Sequence, residues 1–187
     1  MFGRSRFHFD DLARKTFAFL EQYDFRYLHP YIGLVRYRTD DVSVDVFYER
    51  QSYEIGLEVC YDDKFYSLSE LIRINDPAKA DNFRNTVAIN TKMVEEGLCR
   101  TAELLKIYGM RAIRGDKFFF SALEVQQLQW AKGYEEEVLA DQLRPMADTA
   151  FRQGNYERAA ALYERFRSSL RPSELRRLQI AQARRAS

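Results

Sequence analysis

Apolar and polar residues alternate with period two between positions 35 and 61. Val35 and Tyr37, then Val42, Val44, Val46 and Tyr48, then Tyr53, Ile55, Leu57, Val59 and Tyr61 share one phase, with polar side chains between them. A strand with one buried and one wet face produces this alternation. The interruptions, Arg38-Thr39-Asp40-Asp41 and Glu49-Arg50-Gln51-Ser52, are of hairpin length. The pattern therefore predicts an antiparallel meander of at least three strands, with a short fourth near Lys64–Tyr66. If Tyr48 and Tyr53 flank the second turn, Val46 faces Ile55, Val44 faces Leu57 and Val42 faces Val59.

Around the meander the period changes to that of helices. Residues 10–23 carry Leu12, Thr16, Phe19, Leu20 and Tyr23 at helical spacing, with Asp10 or Asp11 as cap. His29-Pro30 predicts a turn within Arg26–Tyr31. Ser67-Leu68-Ser69-Glu70 matches a capping box that opens a short helix through about Ile74. Asp76-Pro77 starts another, predicted to run to about Tyr108 with a break near Asn90 and Gly109 as its stop. Its predicted face holds Phe83, Val87, Val94, Leu98, Thr101, Leu105 and Tyr108. Arg114-Gly115-Asp116 reads as a glycine turn whose aspartate caps the next helix. That helix spans Lys117–Leu143, with Phe118, Ala122, Val125, Leu128, Ala131, Val138 and Leu139 on or near one side, a kink at Lys132-Gly133, and Pro145 as a break or a new start. The fold class is thus α+β, with an α+β domain over 1–115 and a helical region over 116–187 packed on it.

Composition narrows the class of protein. Hydrophobic residues make 46% of the 187 and charged residues 30%, with only 8 Gly and 4 Pro, which suits a packed core and excludes collagen-like or linker-like chains. No apolar run approaches the ~18 residues of a membrane span, and Met1–His8 lacks a signal-peptide core. A cytoplasmic protein is the expectation. Cys60 and Cys99 lie far apart, within a strand and a helix pattern, and are expected as buried free thiols, with a disulfide between them as the alternative.

Net charge is +1, unevenly placed. Residues 41–70 hold eight acids against Arg50 and Lys64, whereas residues 144–187 hold ten arginines against four acids. Such asymmetry concerns partners or self-association, including a homodimer, rather than fold.

At the C-terminus, Leu143, Met146, Ala147, Ala150 and Phe151, the turn Gln153-Gly154-Asn155-Tyr156, then Ala159, Tyr163 and Phe166 resemble one tetratricopeptide-type helical hairpin over 143–172. Pro172 stands one position later than is usual in that family. The resemblance implies close helix approach at Ala147 and Ala159, with a final helix over 173–186 packed on the hairpin. A solenoid is not implied, because a second repeat is not visible. The whole layout is also similar to small bacterial proteins that include immunity partners of secreted toxins. Phe19-Leu20-Glu21-Gln22-Tyr23, Val44-Asp45-Val46-Phe47-Tyr48, Ser52-Tyr53-Glu54-Ile55 and Tyr66-Ser67-Leu68-Ser69-Glu70-Leu71 carry that likeness. It implies partner binding and supplies no catalytic residue.

The residues themselves offer little catalytic chemistry. His8 and His29 are the only histidines, no close-spaced Cys/His set suits zinc, and no Gly-rich phosphate loop occurs. Asp62-Asp63 reads as a turn and Glu135-Glu136-Glu137 as a solvated helix face. A catalytic site, a metal and a cofactor are therefore not expected. The polar phase of the meander is more informative. Ser43, Asp45, Phe47 and Glu49 lie beside Glu54, Gly56, Glu58 and Cys60. Asp45, Glu49, Glu54 and Glu58 around Phe47 form a candidate docking face for a basic protein partner, with the carboxylates steering and Phe47 as apolar anchor. Neutralisation by Arg36 and Arg38, or cover by a helix, are the structural alternatives. The expected function is a non-enzymatic interaction module of immunity type that occludes its partner. The alternatives are nucleic-acid association through the C-terminal arginines, or a small enzyme with an unrecognised site.

Overall fold

The computed structural model describes residues 6–185. Met1–Ser5, on which part of the leader argument rests, and Ala186 of the expected last helix lie outside the described residues. The chain is α+β, as the two periodicities predict, and forms two compact units that divide between Val125 and Gln126.

The first unit is an antiparallel sheet with helices packed on one face. Its strands are β1 Arg26–Tyr31, β2 Leu34–Arg38, β3 Val42–Tyr48, β4 Glu54–Tyr61, β5 Lys64–Ser67 and β6 Thr86–Val87. They run in the spatial order β1-β2-β3-β4-β5, with β6 pairing the start of β4. Val35, Tyr37, Val44, Val46 and Val59 are fully buried, so the period-two phase selects the core face. Helix α1 (Phe9–Phe17) covers that face through Phe9, Ala13 and Phe17, and Leu20 of the following 3-10 segment Ala18–Tyr23 joins them. Of the predicted stripe, Leu20 is fully buried and Leu12, Phe19 and Tyr23 pack half-buried against the same core, while Phe9, Ala13 and Phe17 form its centre. Asp10 is no cap either. Its carboxylate accepts from the Gly33 amide at 2.9 Å and lies 3.2 Å from His29 Nε2, tying α1 to the β1–β2 hairpin.

Two corrections concern the strands. Arg26–Tyr31 is a strand, not a turn. Pro30 is tolerated because β1 is the sheet edge and need not donate on both sides. The β3–β4 register is two residues from that predicted, pairing Val46 with Leu57, Val44 with Val59 and Val42 with Tyr61. Tyr53 adopts a left-handed φ of 60° and leaves the strand, so the loop is Glu49–Tyr53 and Tyr48 pairs with Ile55. A two-residue slip preserves the faces, which is why the buried set was still legible.

The capping box at Ser67 is formed. Its Oγ accepts from the Glu70 amide, and Glu70 accepts from the Ser67 amide at 2.7 Å, opening α2 (Leu68–Asn75). Asp76 caps α3 (Pro77–Asn82), which is much shorter than predicted. The chain then leaves the helix at Phe83 to form β6, so Phe83 and Val87 share no helical face with Val94. Asn90 caps α4 (Thr91–Tyr108), which buries Val94, Leu98 and Leu105 on the sheet. Gly109 is the C-cap of α4, its amide donating to the Leu105 carbonyl at 2.7 Å as the helix ends where predicted, and the short α5 (Met110–Ile113) follows at once. Asp116 accepts from the Phe118 and Phe119 amides and caps α6 (Lys117–Arg152). The Arg114-Gly115-Asp116 turn has that role. The buried side of α6 in this unit is Phe119, Phe120 and Leu123, whereas Phe118 and Val125 are exposed, as is Leu128 beyond the division, contrary to the predicted stripe.

In the second unit α6 continues through Pro145, which causes neither break nor restart. Proline forfeits one amide bond there, while Thr149 Oγ1 donates to the Pro145 carbonyl at 2.8 Å. A turn with Gly154 at φ 76° leads to α7 (Tyr156–Glu164), then a 3-10 turn Arg167–Ser169 and α8 (Pro172–Arg185). Ala147, Ala159, Tyr163, Phe166, Leu178 and Ala181 form the core, while Met146 is exposed. Two arginines are built into it. Arg144, 9% exposed, donates to Asp141, Glu137 and the Ser169 carbonyl, and its Nε lies 3.2 Å from Glu174 Oε1 without a hydrogen-bond angle. Asp148 accepts from both Tyr163 Oη and Arg177 Nη1 at 2.5 Å. Burial would raise the Asp148 carboxyl, but these two donors outweigh it and hold it below the usual range.

Two stability predictions follow from this geometry. Asp62 and Asp63 form the β4–β5 turn with φ of 51° and 58°, a left-handed pair that Asn-Gly adopts at least cost. Asp62→Asn with Asp63→Gly is expected to raise stability by ~1 kcal/mol, seen as a higher denaturant midpoint at unchanged slope. Ala159 is fully buried between helices. Ala159→Leu is expected to cost ~1–3 kcal/mol by overpacking, and an unchanged melting temperature would contradict the close helix approach.

Candidate functional site

The sheet face opposite α1 and α4 is the candidate site. Register places its side chains in cross-strand rows. One row runs Leu28, Arg36, Asp45, Glu58 and Ser67, and a second Arg26, Arg38, Ser43, Cys60 and Phe65. A third joins Leu34, Phe47 and Gly56. Two depressions of about 520 and 650 Å³ open on this face, lined only by residues of β1–β5 and their hairpins. No helix of this unit lies over them among the described residues. Leu28 and Phe65 are 44% and 51% exposed there.

The five predicted docking residues are brought to one face but are not equivalent. Asp45 is buried, and the Arg36 guanidinium holds both its oxygens, Nε to Oδ1 at 2.6 Å and Nη2 to Oδ2 at 2.5 Å. It is not the wet carboxylate expected, because its directly opposed arginine folds over it. Arg38 plays no part in that neutralisation and stays exposed. Phe47 does not project as a free anchor. It is half-buried across Gly56, where a Cβ would collide with its ring. An aromatic lying over a strand glycine fills the missing side chain, so Phe47→Ala carries a stability cost as well as any binding cost. Glu49 is exposed at the start of the Glu49–Tyr53 loop.

Glu54 and Glu58 remain. Both are half-buried on the outward phase of β4, and among the described residues neither has an ion pair or side-chain hydrogen bond. Glu58 sits opposite Asp45 on β3 and Ser67 on β5. Burial, and then the charges of Asp45 and Glu70, push its carboxyl above the ordinary glutamate value. Ser67 and Ser69 of the α2 cap, and Phe83, Arg84 and Asn85 of the loop before β6, border the same space. These were not legible from sequence, since Phe83 carried a helical phase. The strand alternation alone could find Glu54 and Glu58.

Other candidates resolve differently. Cys60 is half-buried on the outer face and Cys99 is exposed on α4, so neither is the buried thiol expected. Val59 and Tyr61 take the inward phase of β4, which turns Cys60 outward. Burial pushes the Cys60 thiol up, away from the thiolate form that a nucleophile needs. His29 is engaged with Asp10. Among the described residues no group of three or more His, Cys, Asp or Glu is arranged to hold a metal, and no helix is long and apolar enough to cross a membrane. Of the C-terminal arginines, Arg144 and Arg177 serve the core, Arg167 pairs with Glu164 and Arg184 donates to the Tyr156 hydroxyl. Arg158, Arg165, Arg171, Arg176 and Arg185 are exposed. Comparison with known proteins gives no match to a family model, a curated protein or a solved structure.

The raised Glu58 value sets the sign of a pH effect. The folded state holds this proton more tightly than the unfolded chain, so ionised Glu58 subtracts stability. The penalty is absent below the ordinary value of about 4.3 and grows as pH rises through the raised one. Glu58→Gln is expected to stabilise the protein at pH 7 by a few tenths to ~1 kcal/mol, the scale of an opposed like-charge pair. The gain should vanish below about pH 4. Melts across that range check it, and a destabilised variant at pH 7 would show that Glu58 has a favourable partner in the free protein.

Proposed function

We propose that this protein is a non-enzymatic interaction module of immunity type, working in the bacterial cytoplasm, that occludes a partner docked on the outer face of its sheet. The observation that carries the reading is the open face itself. An antiparallel sheet needs one face buried for stability, and here α1 and α4 supply that, leaving the other free of helices of the unit. Its surface combines exposed Leu28 and Phe65 with charged rows. A rigid sheet also presents these groups at low ordering cost, which favours association.

The experiment is affinity capture from a bacterial lysate with the full chain and with a Leu28→Asp, Phe65→Asp double variant. Both residues are on the open face, and the substitutions leave the buried face untouched. Capture of a defined protein by the parent, lost in the double variant at unchanged melting temperature, is the expected result. Equal capture by both would remove the sheet face as the docking surface. Capture that disappears on nuclease treatment would instead favour nucleic-acid association through the exposed arginines of α7 and α8.

A further inference from the structure

Between the outer face of β4 and the loop before β6 lies a cavity of about 320 Å³. Glu54 and Glu58 project from one strand phase into it, Phe47 and Phe83 supply aromatic walls, and Ser67 and Ser69 add hydroxyls. Sites for drug-sized ligands range over roughly 300–1,000 Å³, so this one suits a single side chain. Arg84 also borders it, but its Nη1 is held by the carbonyl oxygens of Asp81 at 3.0 Å and Phe83 at 2.6 Å. Arg84 pairs with neither carboxylate. Nor does Arg36, which is committed to Asp45 on the far side of Glu58.

The cross-strand row therefore reads cation, anion, anion, hydroxyl along Arg36, Asp45, Glu58 and Ser67. It lacks a cation where Glu58 faces the cavity. A half-buried carboxylate beside a second acid is disfavoured in the free protein, and the raised Glu58 proton affinity has that origin. A cation entering from outside relieves the repulsion and is attracted by the Glu54 carboxylate as well.

We infer that this cavity receives one arginine or lysine side chain of the docked protein partner, clamped between Glu54 and Glu58 against the Phe47 and Phe83 rings. The inference rests on the sheet-face reading above and names the chemistry the partner must present there. Aromatic faces suit either head group, since a guanidinium or ammonium is attracted to the ring quadrupole. A bare anionic or neutral apolar anchor would meet two carboxylates without compensation.

The test uses the full chain labelled with ¹³C at glutamate carboxyls, titrated with N-acetyl-argininamide, N-acetyl-lysinamide and the neutral N-acetyl-citrullinamide. Saturable shifts at Glu54 and Glu58 with the two cationic probes, and none with citrullinamide, are expected. Glu58→Gln and Glu54→Gln should each weaken argininamide about tenfold, equivalent to ~1.4 kcal/mol. A double Asp40→Asn, Asp41→Asn variant, altered at the other end of the sheet, should bind as the parent does. Equal shifts with citrullinamide, unchanged affinity in Glu58→Gln, or equal weakening in the Asp40/Asp41 variant would each overturn the inference. A captured partner that needs Leu28 and Phe65 but ignores both glutamate substitutions would overturn it while leaving the docking face standing. Selective argininamide binding together with capture that survives the Leu28→Asp, Phe65→Asp change would support the cavity and place docking away from Leu28 and Phe65.

Discussion

Tyr37, Val44, Val46 and Val59 lose all contact with water where α1 and α4 close on the sheet, and the first unit is organised around that burial. Each such side chain contributes ~1.5–3 kcal/mol relative to exposure, far more than any charge on the other face. The strand phase is consequently not negotiable. Once the valines face inward, Arg36, Asp45, Glu58 and Cys60 must face outward, whatever electrostatic difficulty this creates. The β3–β4 register can slip by two residues and still satisfy the core. The identity of the pairs on the outer face therefore depends on the loop and not on the hydrophobic pattern.

The outer face shows the result. Arg36 and Asp45 meet as a fork because β2 and β3 place them in direct opposition. Glu58 is placed opposite the same aspartate from the other side and obtains no cation. A protein selected for stability alone would have changed Glu58, since an opposed like-charge pair is easily removed by one substitution. Strain in the Asp62-Asp63 turn is of the same kind, an avoidable cost at the rim of the same face. Such local inconsistencies concentrate where a surface has another use. This is the physical ground for reading the face as a place of recognition.

The second unit treats charge in the opposite way. Its arginines are numerous in sequence, but Arg144 and Arg177 are consumed in holding α8 to the hairpin, through Glu174 and Asp148. A guanidinium can serve several acceptors at once in a fixed plane, which suits a core too small to be wholly apolar. Small Ala147, Ala159 and Ala181 let the helices approach, and Tyr163 fills the remaining space with its hydroxyl on Asp148. The basic character of this segment is thus partly architectural.

What the chain determined by itself was local and periodic. The strand phases, the capping box at Ser67, the Asp76 cap, the Asp116 cap and the glycine turn at Gly154 all depend on residues within a few positions of one another, so their signals are complete in the sequence. The outward placement of Glu54 and Glu58 belongs to this class, because alternation alone assigns a face. Only the tertiary structure decided the rest. Tyr53 entered the turn and moved the β3–β4 register, Phe83 left a helix because β6 pairs with β4, and α6 ran through Pro145. It also decided that Arg36 serves Asp45 and not Glu58. The β4–β6 pairing and the Arg36–Asp45 fork turn on partners in other strands, and a pattern read along one chain carries no information about which of several compatible partners will arrive.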